Sequence, residues 1–166
     1  MRKNLFAVSA LLFAFVVVGP AVQAQGGVRS GPDAATLRDP ELEKDSLHNL
    51  EVARNYFKLK KAFVAALKRT EEIIAGNPNF TKIDEALFIA GSSSLSLAEN
   101  KGKQKPDLYI SYDGSTKKTL TADQFRNMAR DYLTRLVTDY PESSFRSQAD
   151  EALRVIGDKK LVESKQ

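Results

Sequence analysis

The sequence predicts an all-α fold of antiparallel helix hairpins stacked as repeats, and three observations carry that expectation. Apolar residues recur at spacings of three and four from residue 47 to residue 156, interrupted by turns that contain Pro or Gly. The segment IDEALFIAG, Ile83 to Gly91, returns as ADEALRVIG, Ala149 to Gly157, at an offset of 66 residues. Each copy follows a helix that ends in proline, EEIIAGNP before Pro78 or TRLVTDYP before Pro141. The repeating unit is therefore helix, proline turn, small-residue helix.

Residues 1–24 are expected to be a secretory signal peptide. Arg2 and Lys3 precede an apolar run from Leu5 to Val18, Gly19-Pro20 breaks it, and Val22-Gln23-Ala24 offers a small-residue cut before Gln25. The run is shorter than the about 20 residues of a membrane span, an uncleaved anchor being the alternative. Loss of Arg2 and Lys3 lowers the formal charge from +4 to +2, so the apparent basicity is poor support for nucleic-acid binding. Residues 25–39, rich in Gly, Ser, Pro and Ala, read as a flexible tether.

The helical repeat domain is expected over 40–158, followed by a tail at 159–166. Asp39 can cap the first helix, with Pro40 at its first position and Glu41 and Glu43 beside its positive end. Leu47, Leu50, Ala53 and Phe57, then Phe63, Ala66, Leu67, Ile73 and Ile74, mark its buried side until Gly76-Asn77-Pro78 stops the run. No Gly or Pro lies between Pro40 and Ala75. One long helix and two helices turned near Lys58–Lys61 (KLKK) both fit. Thr81 is the expected cap of the next helix, which buries Ile83, Leu87, Ala90 and Gly91 and lasts to about Ala98. Residues 99–120 contain KGKQKPD and YDGSTKK and read as an inserted loop, with LYISY a short strand in the alternative. Thr121 and Gln124 have capping-box spacing ahead of Phe125, Met128, Ala129, Leu133, Leu136 and Val137. A last helix is expected from about Ser144 to Ile156, with Phe145, Ala149, Leu153 and Ile156 inward.

Composition excludes several classes of function. With 42% apolar and 28% charged residues the chain is of ordinary globular make-up, neither collagen-like nor disordered. Zero Cys excludes a disulfide scaffold, a thiolate metal site and a Cys nucleophile, and one His excludes a two-histidine mechanism. His48 lies near Glu43 and Glu51, but a metal site needs three or four ligands fixed in geometry, so no metal or cofactor is expected. The acidic pairs Glu71-Glu72, Asp84-Glu85 and Asp150-Glu151 put neighbouring side chains about 100° apart on a helix, and read as solvated edges rather than facing acid and base. Ser92–Ser96 (SSSLS) lacks a nucleophile elbow and a histidine partner. No catalysis is expected. The Lys-rich 99–120 loop, with Tyr109 and Tyr112, is a candidate contact for a partner, anionic headgroups or cell-wall polymer.

Ala66 followed by Pro78, and Ala129 followed by Pro141, keep the alanine-to-proline interval of tetratricopeptide repeats, which this sequence resembles. Small residues at Ala53, Ala66, Ala90, Gly91 and Ala129 suit such close helix packing. The segment YLTRLVTDYPESSFRSQADEAL resembles the variant found in the outer-membrane assembly lipoprotein family BamD and in periplasmic coordinators of the Tol system. The likeness runs from about Leu47 to Gly157. It implies helix hairpins stacked into a short right-handed solenoid of about two and a half repeats. It further implies a non-catalytic protein–protein interaction module in the periplasm, peripheral to the outer membrane, contributing to β-barrel protein assembly. The expected partners are envelope proteins, barrel-assembly components or outer-membrane proteins among them, and not nucleic acid. A Tol or cell-division adaptor, or a structural helical bundle without a groove, is the alternative. BamD proteins carry a lipobox Cys and five repeats; this chain has Val22-Gln23-Ala24-Gln25 at the cut, so no lipid anchor is expected. In the repeat register His48, Glu51, Asn55 and Lys58 line the inner side of the first helix, and Glu85, Phe88, Ser92 and Leu95 that of the first helix of the next repeat, as a candidate peptide groove. An open repeat end further predicts self-association.

Overall fold

A computed structural model describes residues 39–163; the expected signal peptide and nearly all of the tether lie outside the described residues. Five α-helices run in chain order: α1 (Pro40–Arg54), α2 (Phe63–Gly76), α3 (Ile83–Ala98), α4 (Ala122–Asp139) and α5 (Arg146–Glu163). Between α3 and α4 stands a small antiparallel hairpin, β1 (Ile110–Asp113) with β2 (Thr116–Thr119).

Local chemistry accounts for several boundaries. The Asp39 carboxylate accepts the Glu41 amide at 2.9 Å, with Pro40 in the first turn. At α4 both halves of the capping box form: Thr121 accepts from the Gln124 amide and Gln124 from the Thr121 amide. Asn100 ends α3 in the left-handed region at φ 51, while Lys101 donates to Ser96 and Asn100 to Leu97, the two hydrogen bonds of a Schellman motif.

Residues 40–76 are two helices. After Arg54 the chain widens into a π-helical turn, Asn55–Lys60, and reverses through Lys61 at φ 50. The single-helix reading fails for a tertiary reason. The 101–105 segment returns to this corner, where the Lys103 amide donates to the Lys61 carbonyl at 2.9 Å and the Gln104 side chain accepts the Ala65 amide at 3.0 Å. No side chain of its own caps α2, so Gln104 supplies an acceptor that its first turn lacks. Gly102, at φ +93, lies so close to the Phe63 ring and the Lys61 carbonyl that a Cβ would come within 2.7 Å of each. Gln104→Ala is accordingly expected to cost about 1 kcal/mol, read as a lower urea midpoint with an unchanged slope.

Three other expectations change. Thr81 does not cap α3: its hydroxyl is held by the Glu43 carboxylate, and Lys82 occupies the capping position without a side-chain bond. The 99–120 insertion is not wholly loop, because the LYISY region forms β1 and Gly114, at φ +59, turns it into β2. The last helix starts at Arg146 and extends to Glu163, past the expected domain end at 158.

The core lies along α3. Ile83, Ala86, Leu87, Ile89, Ala90 and Leu97 are buried there, facing Leu67 and Ile73 of α2 and Ala129, Leu133 and Leu136 of α4. The first helix buries Leu50 and Ala53 but leaves Leu47 40% exposed, so the inward stripe expected there is narrower. In α5 the inward set is Ala149 and Ile156, with Phe145 and Leu153 half-buried.

Candidate functional site

On α3 every position is buried except a half-buried stripe at Asp84, Phe88, Ser92, Leu95 and Ser96. That spacing is one helical face. The two sides of α3 are taken by α2 and α4, and the stripe is what remains open along it. On α1 and its π turn, His48, Glu51, Asn55 and Lys58 form a comparable exposed stripe.

Two contacts tie alternate helices across this region. Arg54 on α1 donates through Nε and a terminal nitrogen to both oxygens of Glu85 on α3, each at 2.5 Å. That fork geometry suits a guanidinium and a carboxylate. The bond to Glu85 raises the Arg54 pKa further, with Glu51 adding attraction. At the other end, Phe88 of α3 stacks on Phe145 beside α5, ring centres 4.9 Å apart and planes 20° from parallel. Ser143 donates to Asp84 at 2.6 Å in the same place.

The candidate groove residues therefore have different surroundings. Glu51 and Glu85 are brought together through Arg54. Glu85 is buried and engaged, Phe88 is half-buried under Phe145, and Ser92 is half-buried with its carbonyl accepting the Ser96 hydroxyl at 2.8 Å. His48, Asn55 and Lys58 stand exposed. Reasoning from the sequence missed Arg54, whose signal was a cation in the last turn of α1, one turn beyond Glu51.

The acidic pairs correct the solvated-edge reading at two of three places. Asp150 and Glu151 are exposed beside Arg146 and Arg154. Glu85 is buried. Glu71 of α2 is half-buried and accepts the hydroxyls of Tyr109 at 2.7 Å and Tyr132 at 3.2 Å, one from the insertion and one from α4. Tyr109 is 7% exposed and packs edge-on against Phe125, which anchors the insertion to the helices. Among the described residues no cluster of three or more His, Asp or Glu side chains is placed to hold a metal ion. A hollow of about 440 Å³ between the hairpin and α4, lined by Ser111, Leu120, Met128, Asp131 and Tyr132 among others, presents no paired acid and base.

Burial raises the pKa of Glu71, against the lowering effect of the two hydroxyls and Lys68. Burial and the nearby Glu71 carboxylate raise both tyrosines. The folded chain thus holds the Glu71 proton to a higher pH than the unfolded chain, whose Glu titrates near 4.3. Stability from this group is greatest below that value and declines as pH rises to the folded value. Glu71→Gln removes the decline, so the variant should gain on the wild type as pH rises through that window, read by urea titrations at each pH. A gain in the opposite direction would show that the hydroxyls outweigh burial.

Comparison with protein-family models, with curated proteins and with solved structures finds no match for this chain.

Proposed function

We propose that the chain is an exported helical-repeat adaptor of the tetratricopeptide type. It binds an envelope polypeptide along the open sides of α1 and α3, performs no chemistry, and serves outer-membrane β-barrel assembly as the BamD resemblance implies. The observation that carries this reading is the coupling of alternate helices. Arg54–Glu85 joins α1 to α3 and Phe88–Phe145 joins α3 to the start of α5, while the exposed stripe of α1 and the half-buried Ser92 and Leu95 of α3 stay open. In a stacked array of hairpins the first helix of each pair lines one surface, and extended concave surfaces of that kind bind polypeptides. The half-buried Phe88 and Leu95 would contact apolar side chains, with His48, Asn55 and Lys58 as the polar margin.

A photo-crosslinking residue placed at Asn55, in cells of the natural host, tests this against the same residue at Thr134, exposed on α4. Barrel-assembly components or nascent barrel proteins captured from position 55 and not from 134 support the reading. Tol or division proteins there would move it to the related coordinator role. Equal capture from both positions would overturn the groove.

A further inference from the structure

Six lysines meet at one corner of the fold from two distant segments. Lys58, Lys60 and Lys61 stand at the π turn that ends the α1 rod, and Lys101, Lys103 and Lys105 in the segment that returns to it. The two strands of chain are bonded together there, Lys103 amide to Lys61 carbonyl and Gln104 side chain to the Ala65 amide. All six lysines are exposed. Lys60 is held over the Tyr56 ring at 5.1 Å, and Lys101 pairs with Glu99 at 2.6 Å. Glu99 and Asp107 are the acids of these two segments, which therefore hold a surplus of four positive charges in a chain whose formal total is only +4. The basic charge is gathered rather than spread.

In the middle of KLKK stands Leu59, 75% exposed, on the side of the helix away from Leu50 and Ala53. A lone surface leucine needs no explanation. This one sits at the outward position of a π turn, a local widening that is frequent at functional sites, and lysines flank it on both sides. A further leucine, Leu108, is 56% exposed three residues past Lys105.

We infer that this corner is a docking surface for an anionic lipid bilayer, with the lysines on the headgroup phosphates and Leu59 in the interface. The argument does not need the peptide-binding role proposed above, with which it shares only Lys58, at the edge of both surfaces. A soluble polyanion would use the lysines alone, whereas an apolar side chain raised among cations matches the layered polarity of a membrane surface. Lysine stems can lie along the apolar boundary while their ammonium groups reach the phosphates. No helix among the described residues is long and apolar enough to cross a membrane, so the contact is interfacial.

The test uses the chain as its host exports and processes it, with vesicles of phosphatidylcholine alone or with about one-third phosphatidylglycerol. Binding is expected for the anionic vesicles only. At about fivefold per lysine, Lys103→Gln with Lys105→Gln should weaken it about 30-fold, and Leu59→Gln about tenfold. The chain contains no Trp, so Leu59→Trp supplies a single reporter whose emission should shift to the blue on anionic vesicles. Unchanged thermal melts separate these effects from unfolding. Equal binding to both vesicles, absence of binding, or an unshifted Trp with inorganic polyphosphate bound as tightly as vesicles would each overturn the proposal, the last by assigning the corner to soluble polyanions.

Discussion

Leu133→Ala is expected to lower the stability of the fold by about 2–5 kcal/mol, and Gly91→Ala by about 1–2 kcal/mol, yet the two together by clearly less than their sum. The reason lies in the seam between α3 and α4. A Cβ built on Gly91 would lie 2.6 Å from Leu133 Cγ and 2.8 Å from its Cδ2, with the Ala129 carbonyl at 3.3 Å. Leu133 is fully buried, so its branch point has nowhere to retreat. The added methyl therefore overpacks the seam, and the net loss is what remains after the about 1 kcal/mol that alanine gains over glycine in a helix interior. Leu133→Ala alone leaves a cavity beside Gly91, within the buried cluster that also holds Leu87 and Leu136. In the double variant the alanine at 91 enters that space, which yields a favourable coupling of about 1 kcal/mol. Urea titration of the four proteins measures it. Strict additivity would show that the clash at Gly91 is relieved by helix displacement rather than by Leu133.

This seam was legible in the sequence in a way that the rest of the interior was not. Ala90, Gly91 and Ala129 were recognisable as points of close approach because small residues interrupt otherwise bulky stripes. Caps that act within three residues, at Asp39 and Thr121, were readable for the same reason of locality. The break at Lys61 was readable only as one of two alternatives, since nothing local forces it. Its determinants are Gly102, Lys103 and Gln104, which lie about forty residues away, and KLKK itself is compatible with a continuing helix. Glu71 and Glu85 were misread similarly. A carboxylate on a helix edge is solvated unless another element arrives with a donor, and the donors Tyr109, Tyr132 and Arg54 come from other elements. Of the candidate groove, the α1 residues were placed by the repeat register and stand exposed, while the burial of Glu85 depended on how α1 and α3 meet. The internal echo had a partial counterpart in packing. Ile83 and Ala149 are both buried, but Gly91 is pressed against α4 whereas nothing approaches Gly157, since no described helix follows α5.

Arg54→Leu should cost about 2–3 kcal/mol, whereas Arg54→Leu combined with Glu85→Leu should cost no more than about 1 kcal/mol. The single change strands the Glu85 carboxylate, whose side chain is only 12% exposed, without its guanidinium. Breaking a fully buried pair costs about 3–5 kcal/mol. The lower figure applies because the Arg54 side chain retains 31% of its exposure, so water can reach the site. Removing both charges eliminates the stranded carboxylate and puts two leucines across the same gap, an exchange that is often neutral or better for buried pairs. The two outcomes also bear on function. On the proposed adaptor role, if the pair only stabilises, the double-leucine protein should give the same crosslinks from position 55 as the wild type. If the fork sets the angle at which α1 presents His48, Glu51 and Asn55 beside α3, the double variant should fold and yet lose the crosslink. Leucines fill volume, but they do not fix one register between two helices as a two-point hydrogen-bonded fork does. We expect the crosslink to be lost, because α1 leans chiefly on α2 and this fork is its polar tie to α3.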